Sequence, residues 1–193
     1  MPSTEKPGKR VRLVQAALSL VYKNGFAETR LADIAEEAEV PPGNVYYYFK
    51  TKEEIGEAIL EERLAQIQAF QQKLAAMDSA QERLSAFIQM TCNSRQMLAV
   101  GGCPIGSLCT ELHKEKGALA EQSTVLFAQM LGWLKTQFEQ LGRSADSQGL
   151  AVHLLSALEG IAVLAHSLGD PEIVVMETER LQQWIRTLQS QTS

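Results

Sequence analysis

The residues with most to offer chemically lie close together near the N-terminus: Pro42-Gly43-Asn44, Tyr46-Tyr47-Tyr48, Lys50 and Lys52. Three consecutive tyrosines on one short helix are too many for a single buried stripe, so at least one ring must face outward. Outward phenols, an amide and ammonium groups are donors suited to phosphate oxygens and base edges. A second segment, GGCPIGSLCTEL from Gly101 to Leu112, carries different chemistry. Pro104 at a first helical position makes Cys103 the N-cap, at the positive end of a helix dipole, where a thiol pKa falls and its thiolate fraction rises. The alternative is a buried inert cysteine beside a tight glycine turn, and Cys92 and Cys109 read as plain core fillers. No catalytic set converges. His113, His153 and His166 are far apart in sequence, with His153 and His166 expected in the core. Neither a nucleophile elbow, a zincin motif, a P-loop nor a Rossmann fingerprint occurs. The pairs Glu36-Glu37, Glu53-Glu54 and Glu61-Glu62 read as solvated helix faces.

The elements that must position these groups are helices. Leu13, Val14, Ala17, Leu18 and Val21 recur at three- and four-residue spacings, predicting a helix over Lys9–Asn24 that stops at Gly25. Thr29 is the expected N-cap of a short helix over 31–38, which must end before Pro41-Pro42. Pro42 suits the first turn of a third helix over 42–49 that buries Val45 and Phe49. Thr51 and Glu54 form a capping box for a long helix reaching about Met77, and Asp78 is expected to cap the next, which runs to the Gly101-Gly102 break. Further helices are expected over Pro104 to about His113, 118–141, 147–168 and 171–190. No stretch alternates as a strand would, so the fold class is all-α with about nine helices.

The chain has 193 residues with a formal net charge of −5. Residues 1–52 hold eight basic and six acidic side chains, +2, and the remainder is −7. That pattern suits a local polyanion contact, or merely a solvated tail beside a solvated helix, and excludes a whole-molecule basic footprint. No window holds about 18 uninterrupted apolar residues, so no membrane span is expected. The start, MPSTEKPGKRVR, lacks the apolar core of a secretory signal. Three cysteines without metal-ligand spacing point to a reduced, cytoplasmic protein with no disulfide, metal site or cofactor.

Two short helices joined by a tight turn have helix-turn-helix geometry, although spacing alone also fits an ordinary helical corner. Arg10, Arg30, Lys50 and Lys52 fall at helix ends around this unit, where phosphates would lie. The run GFAETRLADIAEEAEVPPGNVYYYFKTKEE (25–54) resembles the DNA-binding domain of the tetracycline-repressor (TetR) family of bacterial transcriptional regulators. The positions that agree are Gly25-Phe26, Thr29, Asp33-Ile34-Ala35, Ala38, Val40, Gly43, Val45-Tyr46, Phe49 and Lys52-Glu53-Glu54. The resemblance implies a DNA-binding domain over 1–50 and a ligand-binding and dimerisation domain over 51–193. It implies further that Thr29 and Arg30 bring the second helix's N-terminus to phosphate, and that Pro42, Gly43 and Asn44 touch bases. Tyr46 and Lys52 would donate to phosphate, with Tyr47 nearest the DNA and Tyr48 partly beneath its helix. Pro41 and Pro42 depart from the family's frequent Ser and Lys, removing a side-chain cap and a cation.

The C-terminal part is rich in Met, Phe and Leu, a pattern of core helices that also allows an apolar cavity. Such a cavity is expected between the helices at 53–76, 80–97, 103–113 and 118–138, with Phe70, Phe87, Met90, Cys103, Phe127, Met130 and Trp133 as ligand contacts. The segment around Cys103 also resembles that of family members answering electrophiles, oxidants or planar aromatic compounds. Helices 147–168 and 171–190, with Ser156, Ala157 and Gly160 small and Leu181, Trp184, Ile185 and Leu188 as a stripe, are expected to pair with a second copy. The implied protein is a homodimeric repressor released from a palindromic DNA operator by a small apolar or aromatic inducer, with neither enzyme activity nor membrane attachment. The alternative is a redox- or electrophile-sensing repressor that uses Cys103.

Overall fold

A computed structural model of the chain describes residues 7–190; Lys6, one of the eight basic residues of the N-terminal stretch, lies outside them. Among the described residues there are ten helices and no strands: α1 Lys9–Asn24, α2 Leu31–Glu37, α3 Pro42–Tyr48, α4 Lys52–Leu74, α5 Ala80–Asn93, α6 Arg95–Gly101, α7 Pro104–Glu115, α8 Ala118–Gln140, α9 Ser147–Leu168 and α10 Glu172–Ser190. The chain groups into two compact units, residues 1–63 with 107–124 and residues 64–106 with 125–193.

In the first unit α1 buries Leu13, Val14, Ala17, Leu18 and Val21, the stripe its periodicity demands. It ends at Gly25, whose N–H bonds Val21 O at φ +86°. α2 contributes Ile34 and Ala35, and α3 contributes Val45. Between them Glu39 takes a left-handed φ of +51°. The carbonyl of Ala38, freed at the end of α2, accepts from the Arg12 guanidinium of α1 at 2.9 Å. Arg12 therefore works as a C-terminal cap rather than as surface charge.

In the second unit α10 packs on α5 and α9, and α6 on α9. Leu84, Ile88, Leu126, Leu134, Phe138, Leu154 and Ile185 lie fully enclosed. α9 is long and apolar enough to cross a membrane by length and composition alone, with a mean hydropathy of 1.5. Its inward side is core (Leu154, Leu158, Ile161, Ala165), while Val152, Val163, Leu164 and Leu168 stay exposed.

Several helix ends differ from expectation for local reasons. Thr29 does not cap α2, because its hydroxyl turns back to Gly25 O at 2.7 Å and Arg30 occupies the cap position. Ser79, not Asp78, caps α5, exchanging hydrogen bonds with Glu82. The helix expected to reach Gly101 breaks at Ser94, whose hydroxyl bonds Met90 O, which separates α5 from α6. The α10 stripe is also reassigned. Leu181, Ile185 and Leu188 are buried within the chain, where they serve its own core and not an outward face. His153 and His166, expected in the core, are exposed; the first lies against Trp184 and the second near Ala99 O.

Candidate nucleic-acid interface

α3 is anchored by Val45 and Phe49, 1% and 3% exposed, which turn one side of the helix inward. With 100° per residue, Tyr46 and Tyr47 must then point out, and they are 60% and 80% exposed. Tyr48 is half-buried and meets the Tyr47 ring edge-on, centroids 5.0 Å apart. Asn44 sits at the margin, while Pro42 and Gly43 are exposed. A Cβ added at Gly43 would meet nothing within 4 Å, so the approach to the N-terminus of α3 is open.

The basic residues divide by what they already do. Arg30 and Lys50 are exposed at helix ends. Lys52 is half-buried: its Nζ donates to Ala27 O at 2.5 Å and sits 4.9 Å from the Phe26 ring centroid. Arg10 lies over the Phe49 ring at 5.5 Å. Thr29 is only 2% exposed with its hydroxyl spent inside the unit, so it shapes the α1–α2 turn.

One residue of this unit escaped sequence reasoning. The Glu111 carboxylate of α7 accepts from Phe26 N at 2.8 Å through Oε2 and from Ala27 N at 2.7 Å through Oε1. These amides follow a helix end and lack a helical partner. Gly25 makes the approach possible, since a Cβ there would lie 3.1 Å from Glu111 Oε1. With 84 positions separating the partners, nothing in the local sequence signals the contact.

In the second unit Phe70, Phe87 and Trp133 form a chain of rings, with centroids 6.2 Å and 5.5 Å apart in turn, linking α4, α5 and α8. Met130 is buried and Phe127 half-buried, whereas Met90 is 39% exposed because the inward face of α5 is set by Leu84, Phe87, Ile88 and Thr91. Cys103 caps α7 as expected, accepting from Gly106 N at 3.3 Å, and donates to Glu159 Oε1 at 3.2 Å. Its chemistry is the reverse of the one expected from the dipole. Burial, and then the neighbouring Glu159 carboxylate, push the thiol up to about 12, outweighing the Gly106 N–H that favours thiolate. Burial raises the Glu159 carboxyl as well. A Cβ at Gly106 would displace the Glu159 carboxylate that faces Cys103.

Two short helices crossing at a tight turn, the later one bare on its polar-aromatic side, define a helix-turn-helix protein. The family model described as bacterial regulatory proteins, tetR family, matches residues 13–59, spanning α1 to the first turns of α4. The fatty acid metabolism regulator protein of Bacillus subtilis (strain 168) is 29% identical over 85 residues, 44% of this chain and 44% of that one. The HTH-type transcriptional regulator RutR of Escherichia coli (strain K12) is 30% identical over 138 residues, 66% of this chain and 63% of that one. The chain thus aligns with about half to two thirds of the length of these relatives. A TetR transcriptional regulator from Legionella pneumophila shares the fold, with a TM-score of 0.83, 22% identity and coverage of 93% of this chain and 98% of that one. Over residues 13–59 the chain thus resembles the tetR family of bacterial regulatory proteins, and over most of its length it shares the fold of the Legionella regulator.

Proposed function

We propose that this protein is a cytoplasmic transcriptional repressor that binds a palindromic DNA operator as a homodimer and is released by a small apolar or aromatic ligand. Residues 1–50 form the DNA-binding domain and residues 51–193 the ligand-binding and dimerisation domain. The observation that carries the proposal is the outward pair Tyr46 and Tyr47 beside the open N-terminus of α3. In the docked complex Pro42, Gly43 and Asn44 reach base edges and Tyr46 and Tyr47 the groove wall, while Arg30, Lys50 and Lys52 neutralise phosphates. Thr29 contributes by fixing the turn from which α2 starts.

Dimerisation is supported by α9, whose exposed Val152, Val163, Leu164 and Leu168 flank the small Ser156 and Gly160. Binding one face of a duplex as such a dimer requires the two copies of α3 to lie roughly 34–36 Å apart, one helical turn of DNA, or a multiple of it. Ligand lowers operator affinity by favouring dimers with another spacing. The state of Cys103 supports reversible ligand binding over thiolate sensing, since a thiol held protonated is a poor nucleophile.

The test is selection of duplexes from a random-sequence pool. The expected product is an inverted repeat bound by two chains; recovery of no preferred duplex, or of a site bound by one chain, contradicts the proposal.

A further inference from the structure

In the second unit a buried polar group stands beside the ring chain with its donor unused. Gln71 of α4 is 5% exposed. Its Oε1 accepts from Gln129 Nε2 of α8 at 2.8 Å, but its own Nε2 is buried and has no hydrogen-bond partner. An amide donor enclosed without an acceptor is disfavoured strongly enough to shift an equilibrium about tenfold or more. It therefore favours any bound molecule that brings an acceptor to it.

The surroundings say what kind of molecule that is. Phe70 adjoins Gln71 in the chain, and Trp133 follows Gln129 by one helical turn, about 5–6 Å along the same face. Phe87 bridges the two rings, stacked on Trp133 with planes 29° apart. The Gln71–Gln129 pair and the ring chain thus both belong to the packing of α4 against α8, with Phe87 of α5 between the rings. The nearby Arg83 of α5 is held by neutral acceptors, Gln137 at 2.6 Å, Met77 O at 2.8 Å and Gln140 at 2.5 Å, so its donors are occupied at the edge of this region.

We infer that Gln71 is the polar anchor of the effector site and that its ligand is a planar aromatic compound bearing a carbonyl-type acceptor. The acceptor meets the Gln71 Nε2–H and the flat body lies against the rings of Phe70, Phe87 and Trp133. This inference rests on the proposal that residues 51–193 bind an effector, and it specifies the effector's chemistry.

A matched pair of probes tests it: 2-acetylnaphthalene and 2-ethylnaphthalene, nearly the same in shape, of which only the ketone carries an acceptor. Equilibrium dialysis against the full-length chain should show the ketone bound about tenfold more tightly. Gln71→Leu should bind both at the hydrocarbon's affinity. Equal binding by the unaltered chain, no binding of either probe, or a ketone preference that survives in Gln71→Leu overturns the assignment. The comparison on the unaltered chain decides the matter even where the variant fails to fold. DNA selection needs neither probe, so the two ideas fail separately. A chain that prefers the ketone through Gln71 but selects no duplex contradicts the repressor proposal, and one that selects a duplex but ignores the ketone contradicts this one.

Discussion

Lys50 and Lys52 stand two positions apart and differ in what their charge already does. Lys50 is exposed, whereas Lys52 holds Ala27 O and covers the Phe26 ring. Lys50→Ala should lower affinity for the selected duplex, reduce the slope of log affinity against log salt by about one, and leave the melting temperature unchanged. Lys52→Ala should lower both affinity and melting temperature; calorimetry and fluorescence anisotropy over a salt series separate the two. The sequence marked both lysines as phosphate contacts from their places at helix ends. The second role of Lys52 was illegible because its partners lie 25 positions away. Cys103 fails differently: its cap position is legible, but its ionisation depends on Glu159, 56 positions on. In the folded chain Cys103 should react with iodoacetamide at least about tenfold more slowly at pH 8 than in the urea-unfolded chain, and Glu159→Gln should narrow the difference. The sign follows from linkage. Between pH 9 and 12 the unfolded chain sheds this proton while the folded chain keeps it, so this thiol makes stability fall as pH rises through that window.

Helices whose information is local were legible almost to the residue. α1 and α9 have the expected bounds because stripe, glycine stop and turn all lie within their own sequence. Ends that depend on competition were not. Thr29 is a good cap in isolation but finds a nearer acceptor in Gly25 O, and Ser94 interrupts a periodic stripe by bonding backward. The α1–α2 turn is the element on which the interface most depends, and two changes probe it. Gly25→Ala forces a side chain into a backbone region that L residues avoid and against Glu111, and should cost about 1–3 kcal/mol in denaturant unfolding. Glu111→Ala removes both acceptors, so amide exchange at Phe26 and Ala27 should quicken and operator affinity should fall. Glu111→Gln keeps one carbonyl acceptor and should recover part of each. Unchanged exchange in Glu111→Ala would show that the turn holds itself.

For the whole molecule, the decisive apolar surface is one the sequence located only in part. The last two helices were expected to pair with a second copy; the stripe on α10 turned inward and left the outward apolar residues on α9, with Met176 of α10 also exposed. Helical periodicity locates a stripe without saying which neighbour covers it; that depends on how α5 and α10 pack. Leu164→Glu places a charge on the exposed face of α9 and should convert a dimer to monomers in light scattering, with little change in helix content. Operator affinity should collapse with it, since one recognition helix neutralises half the phosphates. The central claim, that the bare side of α3 reads base edges, is tested most directly by measuring Asn44→Ala against the selected duplex and against duplexes carrying each substitution at the contacted position. The account predicts an affinity loss of about 1–3 kcal/mol on the selected duplex, with discrimination relaxed at one base pair of each half-site. Undiminished affinity with discrimination intact at every position would contradict it.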